Sequence, residues 1–249
     1  MIRIRKQTIL LLMVLISCTV LRAQEVTLYT CGDSTMADKS KPEINPEKGW
    51  GQLLPEFFSD RIRIENHAVN GRSTRSFIDE GRWEKVYNML KKGDYVFIQF
   101  GHNDQKDQDP KRYTNPHTAY RYNLRKMVEE TREKGATPVL LSSIVRRNFN
   151  EKGVLIDTHG DYPMEMRLLA QEMDVLFIDL QYLTEKLEIK YGPEGSAKLH
   201  LHFEPGETDY YPNGKSDDTH LSVTGAREIA GLVVKKLKES ELSLKNYLK

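Results

Sequence analysis

The chain has 249 residues, of which 39% are hydrophobic, with 37 basic and 36 acidic side chains and a formal net charge of +1. That length and apolar share suit one soluble domain with its own core, or at most two small ones. The charge balance lacks the basic excess of a nucleic-acid binder, which excludes that class.

At the N-terminus, Arg3, Arg5 and Lys6 precede an apolar run from Ile9 to Ile16, and Ala23 offers a cleavage position. This predicts a secretory signal peptide over residues 1–23, a mature domain over 24–249 and a periplasmic or extracellular protein. The run is shorter than the roughly 20 apolar residues of a membrane span, so no transmembrane segment is expected. Leu15-Ile16-Ser17-Cys18 offers a second reading, a lipoprotein box with the lipid on Cys18. Apolar Val20 and Leu21 make a poor tether, which favours cleavage after Ala23. Cleavage there removes four basic residues and no acidic one, leaving the mature chain acidic by three charges. Cys31 then stands alone, without an intrachain disulfide.

Beyond the signal, strand-like runs alternate with amphipathic stretches. Strands are predicted over Val26 to Cys31, Ile62 to Val69, Tyr95 to Phe100, Pro138 to Ile144 and Val175 to Ile178. Helices are predicted over Gln52 to Phe58, Gly81 to Leu90, Tyr120 to Lys134, Met164 to Met173, Gln181 to Ile189 and Thr224 to Lys238. The stretch from Gly192 to Asp218, rich in Gly, Pro and Asp, reads as a loop. Such alternation predicts one parallel sheet covered by helices on both faces.

In open parallel sheets, ligands bind beyond the carboxyl ends of the strands. After the first strand comes Asp33-Ser34-Thr35, after the second Asn70-Gly71-Arg72-Ser73, and after the third Gly101-His102-Asn103-Asp104. Asp217-Asp218-Thr219-His220 precedes the last helix. A hydroxyl, an imidazole, a carboxylate and hydrogen-bond donors at one sheet edge are the inventory of acyl transfer. Asp217 and His220 are three apart, which brings their side chains together on a helical turn.

These four segments, in this order, resemble the sequence blocks of the SGNH (GDSL-type) hydrolases, and the match spans about Val26 to Leu237. A finer resemblance, to the rhamnogalacturonan acetylesterase group, rests on Gly49-Trp50-Gly51-Gln52, the run Asn66 to Phe77, Gln99 to Asp104, and Arg146-Arg147-Asn148-Phe149. The G-x-S-x-G elbow of the α/β-hydrolases is absent, since Met36 stands where its second glycine would be. The resemblance implies a three-layer α/β/α sandwich with a five-stranded, flavodoxin-like parallel sheet. It implies Ser34 as nucleophile, His220 as general base, Asp217 as its orienter, and an oxyanion hole from Ser34, Gly71 and Asn103. It implies no metal and no organic cofactor. The expected activity is a serine esterase that deacetylates plant cell-wall polysaccharide or its oligosaccharides, rhamnogalacturonan first.

Arginine matches carboxylates with a bidentate fork. Arg72, Arg75, Arg146 and Arg147 fall near the expected active edge, where the carboxylates of a uronic-acid backbone would meet them. Trp50, Tyr113, Phe149, Tyr162, Tyr210 and Tyr211 fall in expected loops, where flat rings stack on sugars. The candidate substrate-binding set is Trp50, Arg72, Arg75, His102 and Arg146; the competing reading of these residues is structural ion pairs and rim packing.

Other readings stay open on the sequence alone. Ser34 also fits a helix cap, Asn103 an Asx turn, and Asp218 competes with Asp217 as orienter. His200 and His202 read as one face of a solvated strand or loop, with a hydrolytic metal site as the runner-up. Asp104, Asp107 and Asp109 read as a solvated acidic loop. The alternative functions are an esterase for acetylated xylan or small acyl esters, a carbohydrate-binding protein with a dead site, and a metal-dependent phosphoesterase. No long apolar lid is evident, which argues against a lipase.

Overall fold

The computed structural model describes residues 25–249; the expected signal peptide and Cys18 lie outside the described residues. In chain order the elements are β1 (Val26–Gly32), β2 (Glu47–Lys48), α1 (Trp50–Leu53), β3 (Ile62–Asn66), α2 (Thr74–Asp79), α3 (Arg82–Met89), β4 (Tyr95–Gln99), α4 (Arg121–Glu133), β5 (Thr137–Leu141), α5 (Tyr162–Glu172), β6 (Leu176–Ile178), α6 (Leu180–Gly195), β7 (His200–Phe203), β8 (Lys215–Ser222) and α7 (Val223–Glu239). No helix among them is long and apolar enough to cross a membrane.

Five strands form one parallel sheet in the order β3-β1-β4-β5-β6. This is the flavodoxin-like order, with its reversal between β1 and β4. Each central strand is apolar on both sides because helices cover both faces. Phe97, Val139, Leu141 and Ile178 join Leu28 in a core under α1, α6 and α7. The alternate residues, Tyr29, Cys31, Val96, Ile98 and Leu140, point into a second core under α3, α4 and α5. On α7, Ala226, Ile229, Ala230, Val233, Val234 and Leu237 recur at helical spacing and are all buried. Each of its larger aliphatic side chains contributes roughly 1.5–3 kcal/mol by leaving water.

Two departures from expectation matter for the site. The segment 192–218 is not one loop. It contains β7 and the first part of β8, which pair antiparallel and add to β2 in a separate three-stranded sheet. Polar and charged residues at most positions of these strands hide the alternation, of which buried Leu201 and Leu221 are the visible remnant. The second departure is α2, a short helix the sequence does not announce. It starts on a reciprocal Ser73–Ser76 capping box and carries no long apolar stripe.

Gly225, in the first turn of α7, packs directly against the backbone of Leu199, the residue before β7. A Cβ there would stand 1.9 Å from Leu199 O and 2.8 Å from its carbonyl carbon, both backbone atoms that cannot swing aside. Gly225→Ala is therefore expected to lower stability by about 1–3 kcal/mol through overpacking. Chemical denaturation, read as a lower midpoint with an unchanged slope, checks this.

Candidate active site

β1 ends at Gly32 and the chain turns at once. Met36 N and Ala37 N donate to Asp33 O. The buried Asp33 side chain accepts from Thr35 N and Thr35 Oγ1, both at 2.9 Å. Gln99, the last residue of β4, donates to Thr35 Oγ1 and accepts from the indole of Trp50. The turn is thus pinned from below and presents Ser34 at the carboxyl edge of the sheet.

Ser34 Oγ lies 3.0 Å from His220 Nε2, and His220 Nδ1 lies 2.9 Å from Asp217 Oδ2. Asp217 Oδ1 accepts from Thr219 N and His220 N. Burial alone would raise the Asp217 carboxyl, but the His220 ring and these two N–H groups outweigh it and hold it well below the usual carboxylate range. An ionised Asp217 only accepts, so the imidazole proton sits on Nδ1 and Nε2 is left to accept from the Ser34 hydroxyl. Asp218 faces away, to Arg147 and His202.

The helical turn expected between Asp217 and His220 is not formed; both lie in β8. Leu201 pairs with Asp217 while His200 already pairs with Leu221. Residues 218–220 therefore bulge out of β8, and Asp217 caps the bulge with its own side chain. A bulge re-aims side chains in this way next to active sites.

Opposite His220, Gly71 adopts φ +75°, a left-handed conformation that favours glycine. Asn103 Nδ2 donates to Arg72 O at 3.2 Å and its Oδ1 faces Arg112 Nη1 at 3.4 Å. Those contacts fix the amide orientation and leave one of its two N–H groups uncommitted. Ser34, Gly71, Asn103, Asp217 and His220 all line one open cleft of about 540 Å³. The residues expected to act together are therefore together.

The expected substrate-binding set divides. Arg146 and His102 line the cleft. Trp50 does not: it is fully buried at the start of α1, its indole inward on Gln99. Arg72 is tied to Glu80 at 3.0 Å and to Asn70 O, and Arg75 reaches Pro110 O, both outside the cleft. Arg147 is consumed by Asp218 and Pro193 O. Tyr162 begins α5 with its hydroxyl buried on the carbonyls of Asp104 and Thr114. His102 is 3% exposed and its Nδ1 lies 3.0 Å from His159 Nε2. Burial comes first for both rings, joined by His159 and then Arg146 at His102 and by Arg146 at His159, and keeps this pair uncharged: His102 falls well below the ordinary histidine value and His159 to about 3.

Several supporting residues carry no sequence signal. Lys39 is buried, and its Nζ contacts Ser34 O at 2.6 Å, Asn70 Oδ1 at 3.0 Å and Glu47 Oε1 at 2.7 Å. His200 is not solvated. It is 2% exposed, with Nε2 2.7 Å from buried Glu188 and Nδ1 3.2 Å from the main-chain oxygen of His220. Both ring nitrogens of His200 therefore face oxygen acceptors. Lys106, Lys215 and Glu47 also line the cleft.

The model of the GDSL-like Lipase/Acylhydrolase family matches residues 30–228. The chain belongs to that family. It is 43% identical over 223 residues to the rhamnogalacturonan acetylesterase RhgT of Bacillus subtilis, covering 90% of this chain and 94% of that one. It is 30% identical over 241 residues to a rhamnogalacturonan acetylesterase of Emericella nidulans, covering 89% of each. Among solved structures, the crystal structure of the Bacillus subtilis protein YXIM superposes with a TM-score of 0.75 at 26% identity, over 88% of this chain and 58% of that one. The acetylxylan esterase Axe2 of Geobacillus stearothermophilus shares the fold, with a TM-score of 0.59 at 20% identity over 85% of this chain and 94% of that one. The chain is a carboxylic ester hydrolase of the SGNH type, in the rhamnogalacturonan acetylesterase-like group.

Asp104 is another correction to the sequence reading. It is fully buried rather than solvated, and accepts from Thr74 N, Thr74 Oγ1 and Thr114 Oγ1, fastening the Asn103 loop to the start of α2. Burial pushes its carboxyl up to about 7 against those hydrogen bonds. A folded-state pKa above the unfolded value of about 3.9 stabilises the fold fully below that value, and the contribution is lost as pH rises toward 7. The stability of wild type relative to Asp104→Asn is therefore expected to fall between about pH 4 and 7 and to level off above. Denaturation of both proteins across that range measures it.

Proposed function

We propose that this protein is a serine esterase that removes acetyl groups from rhamnogalacturonan. The observation that carries the reading is the unbroken contact chain Ser34 Oγ, His220 Nε2, His220 Nδ1 and Asp217 Oδ2, set in one cleft with the uncommitted N–H of the Asn103 amide and the main chain of Gly71. His220 Nε2 takes the Ser34 proton as Oγ attacks the acetyl carbonyl carbon. The N–H groups of Ser34 and Gly71 and the Asn103 amide receive the negative charge on the carbonyl oxygen. The intermediate collapses as His220 returns its proton to the departing sugar oxygen. Water then attacks the acetyl-Ser34 carbonyl with His220 again as base, releasing acetate.

Two features favour a small acyl group on a polar carrier. The cleft is open, and the residues lining it are polar or charged apart from glycine, with no apolar pocket for a long chain. The 43% identity to a protein named as a rhamnogalacturonan acetylesterase supports this carrier before acetylated xylan. A polymer of that kind is met outside the cell, which agrees with export after cleavage at Ala23. Edman sequencing or mass spectrometry of the exported protein is expected to find Gln24 as its first residue, and a lipid-modified Cys18 would overturn this.

Ser34→Ala is expected to abolish acetate release from acetylated rhamnogalacturonan. Asp217→Asn loses the correct tautomer of His220 and should cost about 10⁴ in kcat. Asn103→Ala should cost about 10²–10³ in kcat with folding intact. Acetate release is assayed on acetylated rhamnogalacturonan, acetylated xylan and a small chromogenic acetate. A preference for xylan would overturn the carrier, and inertness toward all three would overturn the esterase.

A further inference from the structure

Three cations line the cleft: Lys106, Arg146 and Lys215. Lys215 is committed, with Nζ 3.5 Å from Asp217 Oδ2. The other two have no carboxylate within 4.0 Å among the described residues. Arg146 Nη1 donates to Thr158 Oγ1 at 2.9 Å and approaches Thr158 O and His159 Nε2 at 3.5 Å, while Nη2 approaches His102 O at 3.5 Å. Every one of those acceptors is uncharged. Asp33 and Asp157 attract the guanidinium only from longer range. Lys106 is exposed, one turn beyond Asn103, with its N–H on Asn103 O. Its ammonium is repelled by Arg112 and Arg146 and drawn by Asp109 and Asp33, again without a direct pair.

A half-buried guanidinium without a counter-ion is costly, because neutral acceptors replace only part of the hydration that burial removes. Arg146 is held in that state by a wall that adds no negative charge: the uncharged His102–His159 pair. Arg146 Nη1 approaches His159 Nε2 as a donor, so that nitrogen accepts, and His102 Nδ1 donates to it. His102 Nε2 is then a bare acceptor, buried and without a partner. Two unpaired cations mark the place of an anionic ligand group, and the unmet buried acceptor beside them suits a hydroxyl donor on the same ligand.

We propose that Lys106 and Arg146 form a carboxylate subsite, which holds a uronate unit of the polysaccharide while a neighbouring acetyl ester lies at Ser34. The assignment rests on the esterase reading above and adds the group that selects an acidic carrier over a neutral one. The subsite lies on the Asn103 side of the cleft, built from the segments after β4 and β5, and so leaves His220 clear. Arg146 offers its planar fork, and Lys106 a mobile point charge that closes on the other face of the carboxylate.

The test uses Ser34→Ala full-length protein, which binds without turnover, and calorimetry with two probes. One is a rhamnogalacturonan oligosaccharide; the other is the same oligosaccharide with its carboxylates reduced to alcohols. The charged form is expected to bind about tenfold more tightly at low salt, with the advantage shrinking as ionic strength rises. Adding Lys106→Met or Arg146→Met is expected to bring the two probes to about equal affinity. Should the Arg146→Met protein fail to fold, the exposed Lys106→Met decides alone. Equal affinity of the two probes for Ser34→Ala, no measurable binding of the charged one, or a preference surviving in the folded double variants overturns the subsite. A wild type that releases no acetate, with the binding preference intact, instead overturns the esterase reading and leaves the subsite standing.

Discussion

The geometry around Ser34 depends on one ammonium group beneath it. Lys39 is buried, and an unpaired buried charge is expensive. Its three partners come from three separate places: the nucleophile turn after β1, Asn70 after β3, and Glu47 in β2. Satisfying that one cation therefore draws together the segment bearing the hydroxyl and the segment bearing Gly71. The link continues through Glu47, which pairs with Ser222 in the ladder, two residues beyond His220. Nucleophile, oxyanion glycine and base are connected through a network whose centre is a single charge.

The division of labour between the two sheets follows. The parallel sheet brings Ser34, Gly71 and Asn103 to one edge at the reversal of strand order, because that is where successive loops diverge and leave a crevice. This sheet does not supply the base. The small antiparallel sheet does so, and its bulge turns His220 toward Ser34 while Asp217 stays in register with Leu201. Under that bulge, the buried Glu188–His200 pair holds the main-chain oxygen of His220 from the buried side. The base is thus fixed at its ring by Asp217 and at its backbone by His200. Such double restraint is what keeps a catalytic imidazole in one rotamer.

Legibility in the sequence tracks physical cause. The five parallel strands announce themselves through runs of apolar, β-branched and aromatic residues such as Tyr95–Gln99, buried on both faces. Ser34, Gly71, Asn103, Asp217 and His220 are legible because each sits at the end of such a run or just before a clear helix. The antiparallel sheet is illegible because its strands spend their positions on polar site chemistry instead of packing. Lys39, Asp104 and His200 are illegible for a related reason. Hydropathy assigns charged residues to solvent, and only the three-dimensional partners reverse that assignment. Trp50 errs in the opposite direction: a large ring between glycines suggests a sugar platform, yet the close approach of Gly49 and Gly51 to Met36 lets the ring sink inward.

The arginines show the same limit for charge. Four arginines near the active edge look equivalent in the sequence, and each could meet a substrate carboxylate. In the fold, the protein's own acceptors compete for them. Glu80 takes Arg72, Asp218 takes Arg147, and the carbonyl of Pro110 takes Arg75 away from the cleft. Arg146 alone follows a central strand into the cleft, where the nearest acceptors are hydroxyl, carbonyl and an uncharged imidazole. A guanidinium keeps its attraction for an external anion only where no internal anion has reached it. The number of basic residues near a site is therefore a poor guide to what it binds. What counts is the charge left over once the internal ion pairs have formed, and in this cleft that remainder is positive on the Asn103 side and balanced on the His220 side.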